Sequence, residues 1–239
     1  MKENISTDCH HSKNLNKVTQ AEAWDFMGLL PKESCDLIIV DPPYPISTNN
    51  GTNRFSEKGW FKGSQDDYED EWYNEYKSIL YRQLDVLKSG RHIYTFVDEK
   101  NLFKLKPIID DYFEFKKVIV WHKGMMGLGY HYRNIVEYIL LHSKGKSQMQ
   151  ITKSPNFYRS DKPRHSIHPT PKPVNLYRWL IRNSSLKEDT VLDCFAGSGT
   201  IGVASLRENR NFLACEIEEK FVKHANQRID KEKNQGKLF

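Results

Sequence analysis

Short apolar runs and amphipathic stretches alternate along most of this chain. Runs rich in β-branched and aromatic residues predict strands at 35–40, 92–97, 117–121, 136–142, 190–193 and 211–216. Stretches with apolar residues at i, i+3 and i+4 predict helices at 70–87, 101–110, 173–182 and 200–207, and from about residue 218 onward. Such alternation predicts an α/β fold, in which helices cover both faces of a sheet.

Two long segments interrupt this alternation. Residues 45–64 are polar and dotted with Gly and Asn, and residues 144–173 are basic and contain five prolines. Loops of this length inside a compact domain are usually functional or disordered. We therefore expect one domain over residues 1–239, with candidate recognition loops at 45–68 and 124–167 and polar tails at 1–16 and 231–239.

The composition indicates a folded domain. The chain has 239 residues, of which 38% are hydrophobic and 12% aromatic, enough apolar surface for a core. It has no apolar run near the roughly 18 residues of a membrane helix and no signal-peptide core, so we expect no membrane partner and a cytoplasmic location. The four cysteines lie far apart without metal-ligand spacing, and no metal site is expected.

Charge is distributed unevenly along the chain. The net charge is only +5, but residues 142–182 carry nine basic side chains and one acid, Asp161, for a local charge of +8. Residues 66–75 carry six acids and no base. An unbalanced basic segment favours a polyanionic partner such as nucleic acid, although solvated loops carry similar runs.

The first candidate site is Asp41-Pro42-Pro43-Tyr44, directly after the strand predicted at 35–40. Ligands of open α/β sheets bind beyond the carboxyl ends of the strands. The two prolines fix the backbone and remove two N–H donors, which leaves nearby carbonyls able to accept hydrogen bonds. Asp41 and the Pro42 carbonyl are suited to accept both hydrogens of an NH2 group, while Tyr44 stacks on the planar group that bears it.

The second candidate site is the strand–turn–helix segment 191–200, with the sequence VLDCFAGSGT. Its glycines allow close approach of a ligand to the backbone, and the start of the following helix favours an anionic group. The segment is not the dinucleotide GxGxxG and lacks the Gly-Lys-Thr/Ser ending of a P-loop. Glu216 ends the next strand, where an acid suits ribose hydroxyls. Together these features predict a site for a nucleoside cofactor.

Both motifs resemble those of the DNA amino-methyltransferases that use S-adenosylmethionine, a D/N/S-P-P-Y/F/W motif and an F-x-G-x-G motif. Here they are Asp41–Tyr44 and Phe195–Gly199, and their order resembles the permuted β group of that family. The segments 168–173 (HPTPKP) and 121–123 (WHK) are similar to further elements of the family. The resemblance implies a Rossmann-like class I methyltransferase fold, with a doubly wound, mixed, seven-stranded sheet and helices on both faces.

The resemblance also implies roles for individual residues. Asp41, Pro42, Pro43 and Tyr44 would hold a flipped adenine by its N6 amino group. S-adenosylmethionine would be the cofactor, with Glu216 on its ribose and Glu22 on its adenine, although the family usually has Asp where Glu22 lies. The full set of expected cofactor contacts is Glu22, Asp41, His168, Thr170, Lys172, Asp193, Phe195, Gly197, Ser198, Gly199, Thr200 and Glu216.

Three alternatives bear on the function. Asp at the first position of the catalytic motif favours adenine N6, but cytosine N4 presents the same hydrogen-bond pattern. A non-catalytic DNA-binding subunit with the same fold is a second alternative, against which the intact Asp41–Tyr44 and glycine motifs argue. A nicotinamide-dependent oxidoreductase would require GxGxxG near the N-terminus, which is absent.

The expected partner is DNA, held by basic side chains in or next to the candidate recognition loop 124–167. The candidate contacts are Lys123, Arg133, Lys153, Arg159, Lys162 and Arg164. Phe157 and Tyr158 either contact bases or anchor their loop to the core. The resemblance further suggests a restriction-modification role in a bacterial or phage-infected cell, with a second copy of the chain and a cognate restriction endonuclease as candidate partners.

Overall fold

A computed structural model describes residues 12–43, 65–126, 131–161 and 172–235. The strands are β1 (Val18–Gln20), β2 (Cys35–Val40), β3 (Leu87–Val97), β4 (Glu114–His122), β5 (Val136–Ser143), β6 (Phe157–Arg159), β7 (Thr190–Asp193) and β8 (Asn211–Glu216). The helices are α1 (Ala23–Gly28), α2 (Gln65–Val86), α3 (Glu99–Asp110), α4 (Val174–Ser184), α5 (Thr200–Arg207) and α6 (Glu219–Gln235). All six predicted strands and all five predicted helices are present, which confirms the α/β fold.

The strands form one sheet in the order β1-β8-β7-β2-β3-β5-β4-β6. Only β5 is antiparallel to its neighbours, so the other seven strands of the described sheet run in one direction. The mixed sheet is confirmed, but it has eight strands and not seven. The two that the apolar pattern missed, β1 and β6, are edge strands of three residues, too short to show a period of two.

The core lies on both faces of the sheet. All six residues of β2 are buried, as expected for a central parallel strand covered on both sides. Its side chains alternate: Leu37 and Ile39 pack on the face covered by α4, α5 and α6, and Ile38 and Val40 pack on the face covered by α1, α2 and α3. The doubly wound arrangement is therefore confirmed.

Several predicted boundaries differ from the structure. The helix α6 continues to Gln235, inside the stretch predicted as a polar tail, because its apolar positions extend to the buried Ile229. In the other predicted tail, Asn16 is tied to β8 through two hydrogen bonds with the backbone of Phe212. The expected loop 124–167 contains β5 and β6, and residues 65–68 of the other expected loop begin α2. Residues 45–64 lie outside the described residues.

The two candidate motifs follow neighbouring strands. β2 pairs with β7 through Leu37–Val191 and Ile38–Leu192, yet the chain leaves β2 toward β3 and leaves β7 toward β8 on the opposite side. Ligands of open α/β sheets bind at such a reversal, in the crevice at the carboxyl ends of the strands. At the other edge of the sheet, the buried Asp36 ties the amino ends of these strands together, because it pairs with Lys88 and Arg91 of β3 and accepts a hydrogen bond from the Thr190 amide of β7.

In the described ranges, no helix has the length and apolarity required to cross a membrane. Within the same ranges, no cluster of His, Cys, Asp and Glu is suited to hold a metal ion.

The close packing of α5 against α6 and β8 predicts how a substitution in α5 changes stability. A Cβ added to Gly202 of α5 would lie 2.6 Å from Ile229 Cδ1 of α6 and 2.9 Å from Phe212 Cζ of β8. Overpacking of this kind costs about 1–3 kcal/mol, so we expect Gly202→Ala to lower the free energy of unfolding by that amount in urea denaturation.

Ser205→Ala, three residues along the same helix, is the matched control. The Ser205 hydroxyl is buried and finds no hydrogen-bond partner among the described residues. Its removal should leave stability unchanged or raise it slightly, because an unsatisfied polar group is lost. Equal stability of the two variants would contradict the packing account.

Candidate active site

Asp41 lies immediately beyond the carboxyl end of β2, at the mouth of the crevice. Its Oδ2 atom is 2.6 Å from the ammonium of Lys172, which directly precedes Pro173 and α4. Pro42 is buried and Pro43 is exposed. The fold therefore brings together Asp41 and Lys172, which are 131 residues apart in the sequence. Tyr44, the last residue of the predicted catalytic motif, lies outside the described residues.

Lys172 is the cation at the centre of the site. Besides Asp41, it contacts Glu137 Oε2 of β5 at 3.3 Å, and its ammonium lies 5.1 Å from the centre of the Phe96 ring. Burial alone would lower the pKa of Lys172, but the two carboxylates outweigh it, and the pKa lies above its ordinary value. Lys172 therefore carries its charge inside the protein. Its backbone carbonyl accepts a hydrogen bond from the Thr200 hydroxyl, which ties it to the glycine turn.

The glycine turn joins β7 to α5 in a conformation that requires glycine. Gly197 has a φ of 49° and Gly199 a φ of 73°, in the left-handed region that other residues rarely adopt. A Cβ at Gly199 would lie 2.7 Å from the Ala225 side chain, so α6 packs directly against the turn. Arg228 of α6 donates a hydrogen bond to the Ser198 carbonyl. The turn is thus held in place from behind while its other side faces the crevice.

Glu216 lies beside this turn at the carboxyl end of β8. Its two carboxylate oxygens accept hydrogen bonds from the Gly197 amide at 2.9 Å and from the Glu218 amide at 3.0 Å. Glu22 follows the neighbouring strand β1, where the Ala21 amide bonds to the Glu216 carbonyl, and its side chain is exposed. The two acids predicted for the nucleoside part of the cofactor therefore lie at adjacent strand ends.

Asp193 lies at the end of β7 and is only 2% exposed. Burial, together with the nearby carboxylates of Asp41 and Glu216, raises its pKa to about 8, although a hydrogen bond from the Phe195 amide works the other way. The crevice thus holds more negative charge than its one central lysine neutralises.

The sequence matches the N6/N4 methyltransferase family, described as DNA methylase, over residues 35–227. The chain belongs to this family. It is 30% identical to the type II methyltransferase M2.MboI of Moraxella bovis, over 90% of this chain and 88% of that protein. It is 29% identical to the DNA adenine methyltransferase YhdJ of Escherichia coli K12, over 95% and 87%. The fold is similar to that of the cytosine-N4-specific PvuII DNA methyltransferase, with a TM-score of 0.72 at 16% identity over 92% and 93% of the chains.

Membership confirms the resemblance drawn from the two motifs. The methylase is an S-adenosylmethionine-dependent DNA methyltransferase with restriction-modification relatives, and DNA is its substrate. Of the cofactor contacts expected from the sequence, those in the glycine turn, Asp193, Glu216, Glu22, Asp41 and Lys172 all lie at one edge of the sheet. His168 and Thr170 lie outside the described residues.

The expected DNA contacts of the methylase are divided between different places. Arg159 is exposed at the carboxyl end of β6, and Arg133 is exposed just before β5; both lie at the edge that carries the site. Lys123 is largely buried: its side chain is 15% exposed and pairs with Glu137, and its contact with DNA stays a prediction. Lys162 and Arg164 lie outside the described residues.

Lys153, another candidate DNA contact, lies away from the site. Its neighbour Ser154 accepts a hydrogen bond from Asn183 near the carboxyl end of α4, whereas the site lies at the amino end of that helix. Lys153 is exposed, but it is at the opposite edge of the sheet from Asp41. Tyr158 packs on Trp179, which agrees with the anchoring interpretation for that residue, whereas Phe157 is half exposed beside His122 and its contact with bases stays a prediction.

Glu137 is the site residue that the sequence analysis missed. It is the only acid in the strand VEYILLHS, which is a weak signal because acids commonly flank strands. Glu137 reaches the site because of the direction of β5. Since β5 is antiparallel to β3 and β4, its first residues lie beside the carboxyl ends of those strands. Apolar periodicity carries no information on strand direction, so the sequence could not reveal this.

The raised pKa of Asp193 predicts a pH effect on stability. An unfolded Asp titrates near pH 4 and the folded Asp193 near pH 8, so the folded state retains a proton between these values. The stabilisation is complete below about pH 4 and is lost as the pH rises to about 8. We expect urea denaturation of the free protein to show a decline in stability from about pH 5 to about pH 8 that is smaller in Asp193→Asn.

The exposed Asp230→Asn of α6 is the matched control and should retain the full decline. An identical pH dependence in Asp193→Asn and the unaltered protein would contradict the assignment.

Proposed function

We propose that the methylase transfers a methyl group from S-adenosylmethionine to the N6 amino group of an adenine rotated out of the DNA duplex. The observation that carries this proposal is the position of Asp41 at the end of β2, beside the glycine turn that follows β7, with Lys172 between the two. An acceptor for the amino group and a cradle for the methyl donor are then within one crevice.

The residues present fit this cofactor. S-adenosylmethionine supplies an electrophilic methyl group on a positively charged sulfur, and it also carries an ammonium, a carboxylate and ribose hydroxyls. The carboxylates of Asp193 and Glu216 suit its hydroxyl and cationic groups, while Lys172 and the start of α5 suit its carboxylate. Burial, and to a smaller extent the nearby carboxylates, raise the pKa of Asp193, and a cationic ligand would favour its ionised form.

Asp41 would act by orienting the substrate amine. The lone pair of adenine N6 is delocalised into the ring, which makes it a poor nucleophile. Hydrogen bonds from the amino group to the Asp41 carboxylate and the Pro42 carbonyl would localise that pair and aim it at the methyl carbon. As the new N–C bond formed, the bond between sulfur and the methyl carbon would break, and its electron pair would stay on sulfur as a neutral thioether. The positively charged nitrogen would be strongly acidic and would release its proton to water without a strong base. The stacking of Tyr44 on the base stays a prediction.

Adenine is favoured over cytosine by the first residue of the motif. Asp is typical of adenine N6 enzymes and Ser of cytosine N4 enzymes, and one relative, YhdJ, is named a DNA adenine methyltransferase. The PvuII enzyme, which is cytosine-specific, is similar in fold alone. N4-methylcytosine is the alternative product, because the N4 amino group of cytosine would make the same two hydrogen bonds.

The decisive experiment is mass spectrometry of nucleosides from unmethylated DNA incubated with the protein and S-adenosylmethionine. We expect N6-methyladenine. Asp41→Ala should lower its rate of formation by a factor of about 100–1000, because an acceptor preorganised for the reacting amine is removed. Asp230→Ala, an exposed change on α6, should leave the rate unchanged.

Other products would separate the alternatives. N4-methylcytosine would refute the adenine assignment and retain the enzyme class. No modified base on single- or double-stranded DNA, despite cofactor binding, would favour the non-catalytic subunit.

Glu216 provides an independent test of the cofactor site. We expect Glu216→Ala to raise the dissociation constant of S-adenosylmethionine by a factor of about 10–100 in calorimetry, since charge-assisted hydrogen bonds to ribose would be lost. Glu219→Ala, three residues away and exposed, is the control and should bind normally. Normal affinity in the Glu216 variant would contradict this role.

DNA contacts through Arg133 and Arg159 belong to the same proposal, because both arginines are exposed at the catalytic edge. The homodimer and the cognate restriction endonuclease stay predictions from the sequence.

A further inference from the structure

Four charged side chains form a continuous chain through the site. Lys123 Nζ is 3.4 Å from Glu137 Oε1, Lys172 Nζ is 3.3 Å from Glu137 Oε2, and Lys172 Nζ is 2.6 Å from Asp41 Oδ2. Their side chains are 15%, 16%, 9% and 21% exposed in the order Lys123, Glu137, Lys172 and Asp41. We call these four residues the charge chain. It alternates in sign and is neutral as a whole.

The topology brings Glu137 into this chain. Glu137 is the second residue of β5 and lies opposite Trp121 of β4, while the Lys123 amide bonds to the Ile135 carbonyl just before β5. Lys123 is followed by Gly124, with a φ of 77°, where the chain leaves the sheet. The charge chain therefore runs from the beginning of the segment 124–133 to the catalytic carboxylate.

Stability alone does not account for this arrangement. Transfer of an ion from water to the protein interior costs several kcal/mol. Replacing a buried ion pair by apolar residues of similar size is therefore often neutral or stabilising. A buried network of alternating charges does, however, restrict each member to one position, because displacing any one leaves its neighbours uncompensated. Such a network therefore fixes the positions of its charged groups relative to one another.

We propose that Glu137 is a positioning residue for methyl transfer, which holds Lys172 between two carboxylates so that Asp41 stays oriented toward the substrate amine. The inference rests on the proposed function of Asp41. A carboxylate has about four lone-pair positions, so Asp41 can accept from Lys172 and from an amino group together only if the ammonium stays on its own side. Glu137 draws the ammonium to that side.

The loss of the Glu137 charge should act on the chemical step. Lys172 would then have Asp41 as its remaining carboxylate in the charge chain, and its ammonium would shift toward the oxygen that the substrate needs. A misplacement of about 1 Å at a reacting centre costs up to about 100-fold in rate. We expect Glu137→Gln to lower the single-turnover rate at saturating cofactor by a factor of about 10–100. Cofactor affinity should fall by a smaller factor, since Lys172 also adjoins the expected place of the cofactor carboxylate.

The experiment measures transfer of a labelled methyl group to DNA at saturating cofactor, counting label in any base, together with calorimetric affinity for S-adenosylmethionine and thermal unfolding. Glu137→Asp restores the charge on a shorter side chain and should recover part of the rate. Glu114→Gln is the control: Glu114 lies at the other end of β4, is 57% exposed and pairs with Lys116. It should behave as the unaltered protein.

Two results would overturn the proposal: an unchanged rate in folded Glu137→Gln, or a loss of cofactor affinity as large as the loss of rate. If Glu137→Gln does not fold, Lys123→Met tests the same chain from its other end. It should lower the rate by a factor of about 3–10, and an unchanged rate would refute the coupling. A wild-type protein that labels no base would instead refute the proposed function, so the two failures are distinguishable.

Discussion

The parallel pairing of β2 with β7 is the constraint on which the site depends. These strands are separated by about 150 residues of chain, yet their carboxyl ends are neighbours and their exits diverge. The divergence opens the crevice in which Asp41 and the glycine turn face one another. Asp36 reinforces the pairing from inside the sheet by binding Lys88, Arg91 and the Thr190 amide. Without this register, both motifs would be intact and too far apart to act together.

Electrostatics then organises the crevice. Lys172 lies at its centre with a raised pKa, among carboxylates from the ends of four strands: Asp41, Glu137, Asp193 and Glu216. Burial, with the carboxylates of Asp41 and Glu216 nearby, raises the pKa of Asp193 to about 8. A site of this kind is suited to a ligand that carries both cationic groups and a carboxylate.

Much of this could be predicted from particular residues. The run CDLIIV and the tetrapeptide after it located a buried strand and the candidate site at its end, because continuous apolar runs and proline-fixed turns are local properties. The glycines at 197 and 199 identified a turn that requires positive φ. The edge strands β1 and β6 escaped prediction since three residues show no period. The sequence made Lys123 a candidate DNA contact, and it could not reveal that Lys123 is largely buried and pairs with Glu137.

The sequence by itself determined the helices, the strands other than β1 and β6, the two motifs and the family, since these depend on local periodicity and on residue types at fixed spacing. Only the tertiary structure decided that Glu137 belongs to the site, that Lys172 joins it to Asp41, and that Lys153 lies at the far edge. Those facts depend on strand direction and sheet order. Both are set by packing between segments far apart in the chain, and local sequence patterns do not encode them.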